Sequence, residues 1–257
     1  MNTYIEELFS LRGRRAVITG GSSGIGRGIA AALCRAGAEV VVVARRPGPL
    51  EETVKALRAD GGDADWIAGD LGSRAGAHAV ADEVLASGRA PDVLVNSAGV
   101  NLRPPLGDLS EEDWDRTLRT NLDAPFVLGQ RLGPLMAANG WGRIIHIASQ
   151  QTIRAFGNSG AYGVSKAALA ALTRSQAEAW SARGVCVNAL APSFIDTPLT
   201  AEVFADPVRA QAMAGRTMVG RNGVPDDLDG TAVFLAGQAS AYLTGQTIFV
   251  DGGFSVT

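Results

Sequence analysis

Seven short runs of aliphatic residues, separated by longer stretches of helical periodicity, constrain this chain more than any other feature. The runs are RAVIT (15–19), EVVVVA (39–44), DADWIAG (63–69), DVLVN (92–96), RIIHIAS (143–149), VCVNALA (185–191) and QTIFVDGG (246–253). Val/Ile runs without polar alternation are strands covered on both faces. Between them the pattern predicts helices over 24–37, 48–60, 73–88, 111–139, 159–182 and 225–237. Ser110 before EEDWDRTL, with Asp113 at capping-box spacing, marks one start, and Pro225-Asp226-Asp227 opens the last helix. Strands alternating with helices build parallel β-α-β units with right-handed crossovers. The expectation is one doubly wound α/β domain over residues 1–257. Its one long interruption, 192–224, is read as a substrate flap.

Composition narrows the function classes. The chain has 257 residues, 23 basic and 26 acidic side chains, and a net charge of −3. That balance offers no basic field for nucleic acid. No apolar run approaches the roughly 18 residues of a membrane span, and the opening MNTYIEELFSLRGR is polar and acidic rather than a secretory leader. Cys34 and Cys186 sit far apart in apolar settings and read as buried thiols of a reducing compartment, so a soluble cytoplasmic protein is expected. His78 and His146 have no ligand cluster beside them, so no metal site is expected.

Two motifs carry chemistry. ITGGSSGIGRG (18–28) follows the first strand and opens the first helix, with Gly20, Gly24 and Gly26 in G-x-x-x-G-x-G spacing. Glycines there let the backbone approach a pyrophosphate seated on the free N–H groups of a helix start. A Gly-rich turn alone is also what any tight β-α connection shows. The second motif is Tyr162-Gly-Val-Ser-Lys166, in a chain whose only other lysine is Lys55. Where arginine is the default cation, a lysine here points to a need for a compact ammonium. Spacing i, i+4 puts both side chains on one helix face, although such a pair by itself is usually solvated.

With NSAG (96–99), Asn121, Ser149 and APSFIDTP (191–198) in the same order, the chain resembles the short-chain dehydrogenase/reductase family along its whole length. The resemblance implies a single Rossmann-type domain with a seven-stranded parallel sheet. It implies a catalytic set of Asn121, Ser149, Tyr162 and Lys166. A hydride moving from nicotinamide to a ketone leaves negative charge on oxygen, and a proton has to arrive there. Free tyrosine has a pKa of about 10, and a nearby cation, which favours the phenolate, is expected to pull the Tyr162 pKa down toward about 7. Ser149 is placed to hydrogen-bond the substrate oxygen, and by resemblance Asn121 holds a water in a proton relay to Lys166.

Cofactor choice turns on the end of the second strand. Arg45 and Arg46 stand where NAD enzymes commonly carry an acid. Two cations suit a 2′-phosphate, with Ser22 and Ser23 as added donors, so NADP(H) is expected over NAD(H). A solvated arginine pair at a helix start is the plainer alternative. The resemblance adds Ile25, Asp70, Leu71, Asn96, Ala98, Gly99, Pro192, Ile195 and Thr197 to the cofactor site, beside Tyr162 and Lys166. Asp70 matches an adenine-contacting acid. Asn96 matches an asparagine that brace the central strand. Ile195 and Thr197 match residues that hold the nicotinamide carboxamide. Two departures stand out: Ser97 replaces the usual second Asn, and Ser193 replaces the usual Gly, which puts the flap geometry in question.

For the substrate, LFSLRGRRAVITG, GVNLRPPL (99–106) and ASQQTIRAFG (148–157) resemble members that act on sugar acids and polyols, the gluconate 5-dehydrogenase type. Arg103 and Arg154 are expected near the mouth, where a cation holds a carboxylate, and Gln150 and Gln151 are expected to meet hydroxyls. The rival substrate is a 3-oxoacyl thioester on acyl-carrier protein. A catalytically silent NADP(H)-binding sensor is the remote third reading, against which the intact Asn-Ser-Tyr-Lys set argues. The family assembles as tetramers, and the Ala-rich SKAALAALTRSQAEAW is compatible with close helix packing.

Overall fold

The structure, a computed structural model, describes residues 3–257. All seven predicted strands form: β1 (Arg15–Thr19), β2 (Glu39–Ala44), β3 (Ala64–Ala68), β4 (Val93–Asn96), β5 (Gly142–Ile147), β6 (Val185–Pro192) and β7 (Thr247–Val250). They make one parallel sheet in the order β3-β2-β1-β4-β5-β6-β7. This is the Rossmann-type arrangement expected from the sequence. The strand order reverses between β1 and β4, and the crevice at such a switch point is where ligands bind in open α/β sheets.

Alternate residues of each strand feed two cores. Ile18, Val42, Val95 and Ile145 pack with Ile29 and Leu33 of α2 (Gly24–Arg35), Leu50, Val54 and Leu57 of α3 (Pro47–Ala59), and Ala232 and Leu235 of α10 (Asp229–Ala236). Val17, Val43, Leu94 and Ile144 face the other way. They meet Val80 and Val84 of α4 (Arg74–Ala86), Leu128 and Leu132 of α6 (Ala124–Ala138) and Ala177 of α7 (Gly160–Trp180). Burial on both faces explains why these strands read as continuous apolar runs. Truncating a fully buried leucine such as Leu33 to alanine costs about 2–5 kcal/mol.

Three features differ from the sequence reading. Residues Thr3–Phe9 form a short helix, α1, at the start. The stretch 192–224, read as a substrate flap with no element assigned to it, carries α8 (Ala201–Phe204) and α9 (Pro207–Ala214), and Ile195 pairs with Gly223 across its base. The expected helix 111–139 is α5 (Glu111–Leu118), a π-turn at Arg119–Asp123, then α6. Ser110 does cap α5, accepting from the Asp113 N–H at 3.1 Å. No helix among the described residues is long and apolar enough to cross a membrane.

Candidate active site

The Gly-rich turn is shaped by close approaches. A Cβ on Gly26 would stand 2.4 Å from the Gly20 carbonyl oxygen. Gly20 takes φ +68°, and a Cβ there would meet the Ala98 backbone at 2.9 Å. The turn therefore closes only without side chains at these positions. Thr19 locks it to the neighbouring strand, its Oγ1 accepting from the Ser97 and Ala98 N–H groups at 3.1 Å each. Thr19 was not singled out from sequence, although its place just before the glycines is where a β1–β4 tie belongs. Ser23 is the N-cap of α2 without a side-chain cap bond, so the helix start keeps N–H groups and a positive dipole end for an anion.

Two clefts meet at this turn. One, about 350 Å³, is lined by Gly20, Ser22, Ser23, Arg45, Arg46 and Asp70, among others, and includes Leu71, Ala98 and Gly99. Arg45 and Arg46 are exposed and make no ion pair among the described residues. Arg116 and Thr120 also line this cleft. Nothing in the one-dimensional pattern marked them, because they arrive from α5 and from the π-turn that follows it. The second cleft, about 460 Å³, runs from Gly24, Ile25 and Gly26 past Ser149, Tyr162 and Lys166 to Pro192, Ile195 and Thr197. A larger cavity of about 670 Å³ under α1 touches none of the motif residues.

Ser149 follows β5, where a 3₁₀ turn over Gln150–Thr152 begins, and its hydroxyl oxygen accepts from the Gln151 N–H at 3.2 Å. Tyr162 and Lys166 lie in the first two turns of α7, both buried. The Lys166 ammonium donates to the Ile147 carbonyl oxygen at 2.6 Å, and burial pushes its pKa down to about 8. The Tyr162 pKa moves opposite to the sequence expectation. Burial raises it, while the Ser149 hydrogen bond and the Arg103 charge pull it down by less. Lys166 Nζ stands 5.5 Å from the Tyr162 ring centroid and is turned to a carbonyl, so desolvation prevails and the phenol keeps its proton.

Asn121 sits in the π-turn, a local widening that recurs at functional sites. Its Nδ2 donates to Val100 O (2.9 Å) and Ser165 Oγ (3.0 Å), and its Oδ1 accepts from Val100 N–H (2.9 Å). The side chain is thus committed to protein partners and secures the loop after Gly99. A Cβ on Gly99 would fall 3.3 Å from Asn121 Oδ1 and 3.9 Å from Lys166 Nζ, so these groups converge behind that glycine.

Two expected residues stand elsewhere. Arg154 is not at the mouth; its guanidinium donates to the carbonyl oxygens of Phe254 (2.8 Å) and Thr257 (2.5 Å), tying the end of the chain to the turn after β5. Asn96 lines neither cleft. Its Nδ2 donates to His146 Nδ1 (3.2 Å), and His146 Nε2 donates to Gln176 Oε1 (3.0 Å), a buried relay linking β4, β5 and α7. Burial pushes His146 down to about 4, so the ring is neutral at physiological pH. Ser193 in place of glycine fits without strain. Among the described residues only Asn158 is a non-glycine with positive φ, and Ser193 Oγ donates to Asp251 O at 3.0 Å.

Beyond Ser149 and Tyr162 the cleft opens into a chamber of about 60 Å³. Gln150, Gln151 and Arg103 line it, and so do Glu202 and Arg209 from the flap helices. The last two were not anticipated, because a flap with no element assigned to it gives no side-chain directions. Among the described residues no group of three or more His, Cys, Asp or Glu side chains is placed to hold a metal ion.

Comparison with known proteins agrees with this geometry. Residues 20–255 match the family described as enoyl-(acyl carrier protein) reductase. The chain is 39% identical over 251 residues to 2-dehydro-3-deoxy-D-gluconate 5-dehydrogenase of Bacillus subtilis (strain 168), covering 98% of each. The crystal structure of a gluconate 5-dehydrogenase from Burkholderia cenocepacia J2315, in complex with NADP and tartrate, superposes with a TM-score of 0.94 at 37% identity, covering 98% of this chain and 99% of that one. A 3-oxoacyl (acyl-carrier-protein) reductase from Agrobacterium tumefaciens C58 with NADP bound gives 0.93 at 34% identity, covering 96% of each. The chain belongs to the short-chain dehydrogenase/reductase family and is an oxidoreductase of CH–OH groups that uses a nicotinamide cofactor.

Proposed function

We propose that the protein interconverts a secondary alcohol and a ketone on a sugar acid or polyol, with NADP(H) as its cofactor. The observation that carries the substrate reading is the chamber beside Ser149 and Tyr162, small and walled by Arg103, Gln150 and Gln151. Such a wall pairs with carboxylate and hydroxyl groups, whereas an acyl chain would leave buried polar groups without partners. Relatives that act on sugar acids point the same way. The acyl-carrier-protein reductase reading keeps support from the matched family description and one solved relative.

The cleft residues fit a dinucleotide: a glycine cradle that a Cβ would fill, a helix start without a side-chain cap, and two arginines that make no ion pair among the described residues, suited to a 2′-phosphate. A nicotinamide bound there gives or takes the hydride. Tyr162 donates its proton to the carbonyl oxygen, and Ser149 hydrogen-bonds the negative charge developing there. Lys166 supplies the compact cation of the site, and Asn121 holds the loop behind it. Thr197 and Ile195 take the carboxamide end, and Asp70 and Leu71 the adenine end. Steady-state turnover of NADPH and NADH with keto-sugar acids, cyclic diketones and 3-oxoacyl thioesters tests the reading. Turnover of the thioesters alone would overturn it.

The proposal extends to a homotetramer in the cytoplasm. Phe126, Leu135 and Val164 leave large apolar side chains exposed on α6 and α7, and Cys34 and Cys186 are free thiols. Light scattering reads the mass, and a monomer would remove the assembly.

A further inference from the structure

Three observations in the chamber beyond Ser149 and Tyr162 are not used by hydride transfer. First, Gln150 is only 2% exposed, yet its Oε1 has no hydrogen-bond partner among the described residues, and the buried Asn101 Oδ1 likewise has none among them. Both residues line the chamber. A buried acceptor left unpaired is destabilising, so both call for donors from whatever enters. Second, Arg103, held by a 2.9 Å bond to Gly157 O, faces Arg209 of α9 closely enough for the two charges to act on one another. Third, neither arginine forms a salt bridge with a described residue, although Glu202 stands in the same wall. Two cations and one carboxylate leave the wall a single positive charge.

We propose that this chamber is a polyhydroxy-carboxylate subsite, in which Arg103 and Arg209 grip the substrate carboxylate from two separate segments while Gln150 Oε1 and Asn101 Oδ1 accept hydrogen bonds from its hydroxyls. The proposal rests on the sugar-acid reading above and adds Arg209, a flap residue, as the residue that separates acids from neutral polyols. A hydroxyl both donates and accepts, so it satisfies an orphan carbonyl oxygen that an acyl chain cannot. Glu202 takes a hydroxyl in the same way and disfavours a second carboxylate. One carboxylate therefore matches the net charge of the wall.

The test is calorimetric binding of D-gluconate and of D-glucitol, its neutral counterpart, to the protein saturated with oxidised cofactor. The wild type is expected to bind gluconate more tightly. Arg209→Gln, and separately Arg103→Gln, are expected to weaken gluconate about 10- to 100-fold, as loss of a charge-assisted bond does, and to leave glucitol within about threefold. Gln150→Met is expected to weaken both ligands alike. Arg209 is exposed on α9, and an unchanged melting curve for Arg209→Gln shows that the fold is kept. Gluconate affinity unchanged in Arg209→Gln, or gluconate bound no more tightly than glucitol by the wild type, overturns the proposal. Failure of hydride transfer with every sugar acid would instead overturn the function while leaving this binding pattern intact.

Discussion

The ammonium of Lys166 donates a 2.6 Å hydrogen bond to the carbonyl oxygen of Ile147, the last residue of β5, inside a site where Lys166 itself is only 5% exposed. Space for one point-like cation beside a main-chain carbonyl explains a lysine in a chain that otherwise favours arginine. Lys166→Arg keeps the charge but brings a planar fork of five donors that this pocket cannot seat. Its kcat is expected to fall by about a hundredfold or more, the scale of a lost proton-transfer group. Wild-type kcat in that variant would contradict the assignment.

Burial of that lysine has a stability cost with a definite pH sign. Its folded pKa is about 8 against an ordinary 10.5, so between these values the unfolded chain binds more protons than the folded one. Stability is expected to rise with pH across that window, and the penalty is present in full below it. A shift of this size corresponds to ~3 kcal/mol. Lys166→Met is therefore expected to be inactive yet more stable at neutral pH, less whatever the lost bond to Ile147 contributed. Chemical denaturation at pH 7 and at pH 10 measures both, and a gap between variant and wild type that does not narrow at the higher pH would refute the account.

Tyr162→Phe is expected to lower kcat by about 10²–10⁴-fold, the usual worth of a general acid, with cofactor affinity nearly intact. Because burial raises the Tyr162 pKa, ketone reduction, which needs the phenol, is expected to hold through neutral pH. Alcohol oxidation, which needs the phenolate, is expected to climb with pH. Arg103→Gln removes a cation that favours the phenolate, so the acid limb of the oxidation profile should move to higher pH. A limb that stays in place would remove Arg103 from the electrostatics of the acid.

Arg45→Asp is expected to shift preference from NADPH toward NADH. It removes a cation from the 2′-phosphate and installs a carboxylate that repels it, so attraction and repulsion change together. Loss of a charge-assisted bond gives roughly ten- to a hundredfold, and the neighbouring Arg46 limits the swing. The ratio of kcat/KM for the two cofactors reads it, and an unchanged ratio would mean that Arg45 serves only solvent.

The sheet was legible because its strands are buried on both faces, as the runs Ala16–Ile18 and Val40–Val43 show. The Gly-rich turn was legible because Gly26 tolerates no Cβ. The π-turn around Asn121 was not. The Asn121 carboxamide there bonds Val100, which lies 21 residues away along the chain, and so distant a partner leaves no local pattern. Arg154 was misplaced because its partners are main-chain carbonyls at Phe254 and Thr257, which carry no side-chain signal. Arg209 and Glu202 were missed because short helices such as α8 and α9 leave too few residues for periodicity to register. The raised pKa of Tyr162 is a balance of burial against charge, and spacing along a helix reports only the charge.

The most direct measurement of the central claim is the ratio of kcat/KM for NADPH-linked reduction of a keto-sugar acid, 5-keto-D-gluconate, to that of a 3-oxoacyl thioester. The polar chamber beside Ser149 and Tyr162 predicts a ratio well above one, by about a hundredfold, since a thioester leaves buried carbonyl oxygens without donors. A ratio below one would contradict the account.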